Sequence, residues 1–188
     1  MNSVEKKIVA FARPYMEGHH DFGHYKRVEQ FARLIWEKEG GDWKIIFTAI
    51  WLHDIGRKES VSNHPTVGAR LAKEFLSLIG FPNGEMDAVV RAILKHDEHG
   101  GQQTIEEKIV YDADRLDCFN YSGLVRCLCE PYVTGMASSI EGAVKWADDY
   151  LKVAFRHINT KTARQVALGY KREFLDNFLE GVKSEQTL

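Results

Sequence analysis

Two histidines and several aspartates stand where their side chains could hold a metal ion. His24 and the pair His53-Asp54 each lie in a stretch with helical apolar periodicity, and an acidic run spans residues 112–117. Imidazole and carboxylate without thiolate are ligands of divalent transition metals and suit a hydrolytic site. Burying a bare carboxylate is costly unless a cation or hydrogen-bond donors compensate it. The residue types therefore predict a metal-dependent hydrolase.

The acidic run contains three aspartates, and helical geometry limits which of them can share one site. Asp112 and Asp114 are about 200° apart around a helix, so they cannot both face the same point. Asp114 and Asp117 are three residues apart and share a side. Periodicity alone does not choose between these two as the metal ligand.

Composition restricts the class of protein. A chain of 188 residues with 44% hydrophobic and 28% charged residues is typical of one soluble globular domain. A net charge of −2 offers no basic excess to neutralise a nucleic-acid duplex. The longest nearly apolar run, residues 45–52, is too short to span a bilayer, and the N-terminal residues show no secretory pattern. We expect neither a duplex nor a membrane as partner.

The cysteines indicate a reducing environment. Cys118, Cys127 and Cys129 are an odd number and lie close together, which argues against a disulfide framework and favours the cytoplasm. Cys127 and Cys129 could bind a metal or oxidise to each other. Because free cysteine packs as a small hydrophobe, we expect buried or incidental thiols instead.

Apolar periodicity predicts helices from end to end, with no alternating strand pattern. The predicted helices begin near residues 4, 21, 42, 65, 83, 104, 140 and 161, and Pro131 and Gly135 are expected to interrupt the chain. Many short helices with sharp breaks between them favour an all-α, compact orthogonal bundle of about seven to nine helices. We expect one domain over residues 1–188, with the metal-site core in 20–120 and C-terminal helices 140–182 packed on it.

The ordered motifs resemble the HD-domain phosphohydrolases, in particular a bacterial branch of small proteins that includes nucleotide pyrophosphatases. The residues that carry the resemblance are 20–28, 52–56 with the His-Asp pair, 64–69, 93–96, 112–117 and 159–163. A His-Asp dipeptide alone is a weak signal, whereas His24, His53-Asp54 and the run Asp114-Arg115-Leu116-Asp117 in this order are a strong one. Residues 118–123 depart from the glycine-rich stretch expected there. We expect this segment to form a wall that shapes the substrate pocket, so the substrate does not carry over.

The resemblance implies one divalent ion (Mn, Mg, Ni, Fe, Co or Zn) held by His24, His53, Asp54 and Asp114. The family pattern places the ligand first in the Asp-Arg-Leu-Asp run, which leaves Asp117 to accept a hydrogen bond from a ligating imidazole or from Arg115. Two neutral imidazoles and two carboxylates balance the charge of the ion, so a phosphate can approach without repulsion. The ion would leave positions for a water and a phosphoryl oxygen.

Further residues near the ligands are candidates for catalysis. The basic ones, which could contact phosphate, are Arg27, Arg57, Lys58 and Arg115. Asp97 and, more weakly, Glu59 are candidates for general acid or base. His64 and His96 lie at predicted helix ends. In relatives with two metals, histidines at these positions hold the second ion, and Asp54 bridges the two ions. In relatives with one metal, they contact the substrate or orient the water. The resemblance favours the single-metal case.

Three functions follow from the resemblance. We expect a phosphohydrolase that acts on a nucleotide or another small phosphorylated substrate through a metal-activated water. A diiron oxygenase is the alternative that would need both His64 and His96 as ligands. A non-catalytic nucleotide-binding sensor is the third. The loss of a metal ligand from the sequence would indicate it, but all four expected ligands are present. A homodimer is left open.

Overall fold

The chain is built from helices. The computed structural model describes residues 1–16, 18 and 20–185, and among these it has no strand. The α-helices are α1 Ser3–Ala12, α2 Phe22–Glu39, α3 Trp43–Leu52, α4 His64–Leu78, α5 Asn83–Lys95, α6 Ile105–Asp117, α7 Tyr121–Val133, α8 Ile140–His157, α9 Lys161–Tyr170 and α10 Asp176–Glu185. Short 3₁₀ turns cover Arg13–Tyr15 and Ile55–Lys58. The predicted all-α class is confirmed.

Side-chain caps explain where the site helices begin. Asp21 accepts a hydrogen bond from the backbone nitrogen of His24 at 2.9 Å and so fixes the first turn of α2. Asp42 accepts from the nitrogens at the start of α3. Thr104 and Glu107 form a capping box at the start of α6. The predicted starts of these three helices are therefore confirmed, and each of these helices leads to a candidate ligand.

Helix α3 is the centre of the molecule. Every residue from Ile45 to Leu52 is buried, and α3 packs against α1, α2, α5 and α6. A helix that is apolar on all sides is stable only when other elements surround it. Within the described ranges, however, no helix combines the length and the hydropathy needed to cross a membrane.

A glycine brings the residues after α3 onto the start of α4. A Cβ atom on Gly56 would lie 2.2 Å from the carbonyl oxygen of His64 and 2.5 Å from the backbone nitrogen of Gly68. These distances leave no room for a side chain, so the turn that follows Asp54 touches the backbone of α4 directly. This approach places His64 beside Asp54.

The boundaries differ from the predictions in two places. The expected interruption at Pro131 is wrong, because α7 continues to Val133 with the proline inside its last turn, where only one helical hydrogen bond is lost. The helix then ends before Gly135, whose φ of 74° is left-handed. The last predicted helix, residues 161–180, instead contains a π-helical turn, Lys171–Leu175, that joins α9 to α10. If α9 and α10 are counted as one continuous helix, the described part of the chain has nine helices.

Candidate metal centre

Four buried histidines converge on one place between α2, α3, α4 and α5. They are His24 in α2, His53 after α3, His64 at the first position of α4 and His96 after α5. The Nε2 atoms of His24 and His53 lie 3.3 Å apart, and those of His64 and His96 lie 3.1 Å apart. The same ring nitrogen of all four residues therefore faces the interior of the cluster.

A hydrogen-bond acceptor behind each ring fixes this orientation. For three rings Nδ1 faces the carbonyl oxygen three residues earlier, at 2.7 Å for His53–Ile50, 2.8 Å for His64–Val61 and 2.6 Å for His96–Ile93. Nδ1 of His24 lies 2.8 Å from Oδ2 of Asp117. Because a carbonyl or carboxylate oxygen only accepts, Nδ1 carries a proton, and a ring that is neutral presents a lone pair at Nε2. Lone pairs that face each other repel unless a cation lies between them, so the donor set fits a metal.

Asp54 lies between the two histidine pairs and offers one oxygen to each. Its Oδ2 atom is 3.7 Å from Nε2 of His24 and 3.3 Å from Nε2 of His53. Its Oδ1 atom is 3.3 Å from Nε2 of His64 and 3.5 Å from Nε2 of His96. This is the placement of a carboxylate that can bridge two cations.

Asp114 completes the first of the two sets. Its Oδ1 atom lies 3.5 Å from Nε2 of His24 and 3.8 Å from Nε2 of His53. Ligand atoms about 2.1 Å from a common ion are roughly 3.0–4.2 Å from one another. His24, His53 and Asp114 therefore form a group of the size of one coordination sphere, and Asp54 lies next to both histidines. His24, His53 and Asp114, and separately His53, Asp54 and His96, are groups that could hold a metal ion.

Sequence reasoning missed His20. The residue is buried, and its Nδ1 atom lies 2.5 Å from Oδ2 of Asp54. With His24 and Asp54 it forms another group that could hold a metal ion. His20 precedes α2 and so had no helical periodicity to place it. The only signal was its position at the head of the first motif, residues 20–28.

The protonation states of the cluster suit a cation. Burial lowers the pKa of His24 to about 3 and that of His64 to about 4, so both rings are neutral at neutral pH. Burial raises the pKa of Asp54, but His53 and Arg57 outweigh it and hold the pKa of this carboxyl well below its usual range. Burial lowers the pKa of His53, yet Asp54 outweighs it and the net pKa is raised. The space between His53 and Asp54 therefore attracts positive charge.

Two of the predicted phosphate-binding arginines lie on the wall of a cavity beside the cluster. Nε of Arg57 donates to Oδ1 of Asp54 at 2.9 Å. Nη2 of Arg115 donates to Asp114 at 2.6 Å and to Asp97 at 3.0 Å. Of these five residues, all except Asp54 line the cavity, whose volume is about 170 Å³. Arginine pairs with carboxylates here and offers the same donor geometry to phosphate.

Three other predicted residues have different partners. Arg27 donates to Asp117 from Nε at 2.6 Å and from Nη2 at 3.2 Å, so it steadies the carboxylate behind His24. Lys58 donates to the carbonyl oxygen of Pro14 at 3.1 Å and lies outside the cavity. Glu59 pairs with Arg70 on the surface at 2.9 Å. The phosphate contact expected of Arg27 and Lys58 and the acid or base role expected of Glu59 therefore stay predictions.

The three aspartates of the acidic run have separate functions. Asp112 accepts hydrogen bonds from the backbone nitrogens of Asn159 at 2.8 Å and Thr160 at 2.7 Å, and so ties the start of α9 to α6. Asp114 faces the histidines. Asp117 accepts from His24 rather than from Arg115. The expectation that Asp112 and Asp114 face different sides of α6 is confirmed.

The far wall of the cavity comes from Cys118, which follows α6, and from α7 and α8. Its residues are Cys118, Arg126, Cys127, Glu130, Trp146 and Tyr150. Cys118 belongs to the segment 118–123, which was expected to shape the pocket. The other five were not predicted, because their placement depends on how α7 and α8 pack on α6. The alternative pairing of Cys127 with Cys129 is wrong, because Cys127 is buried while Cys129 is exposed on the same helix.

Comparisons with known proteins agree with this arrangement. The family model of the HD domain matches residues 21–118. The protein YpgQ of Bacillus subtilis is 30% identical over 165 residues, which cover 79% of this chain and 76% of that protein. Its crystal structure in complex with ADP has a TM-score of 0.76 at 26% identity, over 96% of this chain and 97% of that one. Ribonuclease Y of Rubrobacter xylanophilus is 34% identical over 102 residues, 53% of this chain but only 18% of that protein.

Proposed function

Because the chain belongs to the HD domain family, we propose that it is a metal-dependent phosphohydrolase that cleaves a phosphoanhydride or phosphoester bond in a nucleotide. One observation carries this proposal. Four imidazole Nε2 atoms and both oxygens of Asp54 face one another at 3.1–3.7 Å. The cluster borders a cavity with arginines on its wall. Such a set combines a site for cations with a site for phosphate.

We assign two divalent ions to the cluster. His24, His53, Asp54 and Asp114 would hold the first. His64, His96 and the second oxygen of Asp54 would hold the other. This assignment revises the single-metal expectation, because the Nε2 atoms of His64 and His96 face each other at 3.1 Å. Imidazole-rich sets favour Mn, Fe, Co, Ni or Zn over Mg. When bound, the ions would supply an acidified water and draw charge from the phosphoryl group.

Arg57 and Arg115 would bind the phosphoryl oxygens. Each lies on the cavity wall and donates to a proposed ligand carboxylate, Asp54 or Asp114. Arginine is always charged and forms strong paired hydrogen bonds with phosphate. Burial raises the pKa of Asp97, but Arg115 outweighs this effect, so the net pKa is lowered. Asp97 is therefore an anion that orients Arg115, and it does not act as a proton donor.

A nucleotide is the substrate class that we favour. The cavity, at about 170 Å³, is smaller than the roughly 300–1,000 Å³ of pockets that enclose whole drug-sized ligands. It therefore suits the phosphate end of a molecule whose remainder extends outward. YpgQ, whose structure contains ADP, supports a nucleotide. Ribonuclease Y supports phosphodiester cleavage, but its resemblance covers 18% of that protein.

A panel of nucleotides tests the proposal. Chelated protein is supplied with manganese, magnesium, nickel or iron, and released phosphate and pyrophosphate are measured. We expect metal-dependent release from at least one nucleotide, and loss of release in Asp114→Asn. Asp149→Asn is the matched control, because Asp149 pairs with Lys145 on the surface of α8. Equal turnover in Asp114→Asn and Asp149→Asn would contradict the assignment.

The contact between His64 and His96 also favours a second candidate, a diiron oxygenase. It would use the same two sets of ligands with iron in both. Consumption of dioxygen by protein that carries two irons, without phosphate release from any nucleotide, would support it over the hydrolase.

A further inference from the structure

Two thiols lie on the cavity wall where α6 meets α7. Cys118 directly follows α6, and Cys127 lies in α7. Both side chains are buried in the protein but line the cavity, which is open to solvent. The two thiols share this wall, and a Cβ atom on Gly123, one helical turn before Cys127, would lie 2.9 Å from the Cα atom of Cys118. The proposed hydrolysis uses neither of them.

The corner between the helices brings the thiols together. Asn120 accepts from the backbone nitrogen of Gly123 at 2.8 Å and donates to Asp117 at 2.9 Å. A Cβ atom on Gly123 would lie 1.3 Å from the carbonyl oxygen of Asp117, so the two backbones are in direct contact. Cys127 lies four residues after Gly123, on the same face of α7. It therefore meets Cys118.

Cys118 is the sulfur to which Arg126 donates a hydrogen bond. Nη2 of Arg126 lies 3.4 Å from Sγ of Cys118, and the hydroxyl of Tyr150 lies 4.0 Å from it. The hydrogen bond from Cys127, with Arg126, lowers the pKa of Cys118 although burial opposes it. The same hydrogen bond and burial raise the pKa of Cys127 well above its usual range. The contact with Arg126 marks Cys118 as the attacking thiolate and leaves Cys127 as the thiol that resolves the product.

We propose that Cys118 and Cys127 are a peroxide-sensitive pair that forms a reversible disulfide in the wall of the active cavity. The Cys118 thiolate attacks one oxygen of hydrogen peroxide, the O–O bond breaks, and hydroxide leaves, which gives a sulfenic acid on Cys118. The Cys127 sulfur then attacks the Cys118 sulfur. The S–O bond breaks, the Cys127 proton leaves with the hydroxyl as water, and the S–S bond forms. Two electrons pass from the thiols to the peroxide.

Oxidation of the two thiols would affect the metal centre through Arg126. Its Nη2 atom donates both to Cys118 and, at 3.3 Å, to Asp117, which holds His24. A disulfide removes the thiolate that Arg126 faces and fixes the corner between α6 and α7. The disulfide itself does not depend on the proposed hydrolase activity, so the two proposals fail separately.

Peroxide treatment of the full chain, supplied with Mg²⁺ so that no redox-active metal intervenes, tests the pair. Free thiols are counted after denaturation, and linked peptides are identified by mass spectrometry. We expect the free thiols to fall from three to one, with Cys118 linked to Cys127 and with recovery on reduction by dithiothreitol. Three surviving thiols, or a disulfide that contains Cys129, would overturn the proposal.

Single variants separate the two roles. In Cys127→Ser we expect Cys118 to accumulate as a sulfenic acid that dimedone labels, because the resolving thiol is absent. Cys129→Ser is the matched control and should form the Cys118–Cys127 disulfide to the same extent as the unchanged chain. Equal dimedone labelling of Cys118 in Cys129→Ser and Cys127→Ser would show that Cys127 does not resolve it and would overturn the pairing.

Discussion

Oδ2 of Asp117 lies 2.8 Å from Nδ1 of His24, on the side of the ring opposite the metal cluster. The carboxylate is fully buried and also accepts from Arg27 and Asn120. Burial raises the pKa of Asp117, but the donors, led by His24 and Arg27, outweigh it and keep the group ionised. A buried anion behind the ring fixes the proton on Nδ1 and leaves Nε2 to bind a cation.

Asp117→Asn should weaken metal binding. The amide is the same size but carries no charge, so it no longer holds His24 in the ligating tautomer. We expect affinity for Mn²⁺ to fall about 10- to 100-fold, measured by calorimetric titration of chelated protein. Asp149→Asn should bind as the unchanged chain does, and unaltered affinity in Asp117→Asn would argue against a supporting role.

His96→Ala should remove one of two ions. His96 and His64 contact only the Oδ1 side of Asp54, so the set formed by His24, His53 and Asp114 should keep its ion. We expect the metal content to fall from two ions per chain to one, measured by plasma emission spectroscopy. A content of one ion in both the unchanged chain and the variant would restore the single-metal interpretation.

Arg57→Lys should impair catalysis without removing metal. Lysine keeps the charge but loses the fork of donors that arginine presents to phosphate. We expect kcat/KM for the best nucleotide to fall about 100-fold, with the metal content unchanged. Arg70→Lys, in the surface pair with Glu59, is the control. A similar small effect of both variants would contradict the assignment of Arg57.

Gly123→Ala should destabilise the fold. The new methyl group would lie 1.3 Å from the carbonyl oxygen of Asp117, so α7 must move away from α6. We expect a loss of about 3 kcal/mol in the free energy of unfolding, measured by urea denaturation. Gly169→Ala in α9 is the control, because its Cβ would meet nothing within 4 Å. That change should instead stabilise by about 0.5–1 kcal/mol.

Chelation should lower the thermal stability. The cluster brings Nε2 atoms to within 3.1 and 3.3 Å of each other around the proposed ion sites. An ion at about 100 times its Kd adds about 2.7 kcal/mol to the stability of the folded state. The melting temperature should therefore fall on chelation and recover with Mn²⁺. An unchanged melting temperature would show that the cluster binds no ion with useful affinity.

The sequence predicted the helices and the inward direction of the histidines, which depend on local pattern. His24 and His53 lie on apolar faces, so periodicity alone was enough to direct them inward. The choice between Asp114 and Asp117 needed the family resemblance, since residues three apart share a side of a helix. In the structure Asp114 faces the Nε2 atoms of His24 and His53, while Asp117 lies behind His24.

No local sequence pattern predicts the features of the site that depend on tertiary packing. His20 precedes α2, and no periodicity directs a loop residue toward Asp54. The cavity wall from α7 and α8, including Arg126 and Cys127, is set by the contact of Gly123 with Asp117. Arg27 was near the ligands in sequence, but only the structure gives its partner, Asp117.

Asp54 is the residue that both proposed ions share, so Asp54→Ala tests the account most directly. Metal content and nucleotide turnover are measured on the same sample, with circular dichroism to verify that the helices persist. We predict that the variant, still helical, loses bound metal and turnover together, whereas Asp149→Ala retains both. Turnover that persists in Asp54→Ala at the level of the unchanged chain would contradict the account.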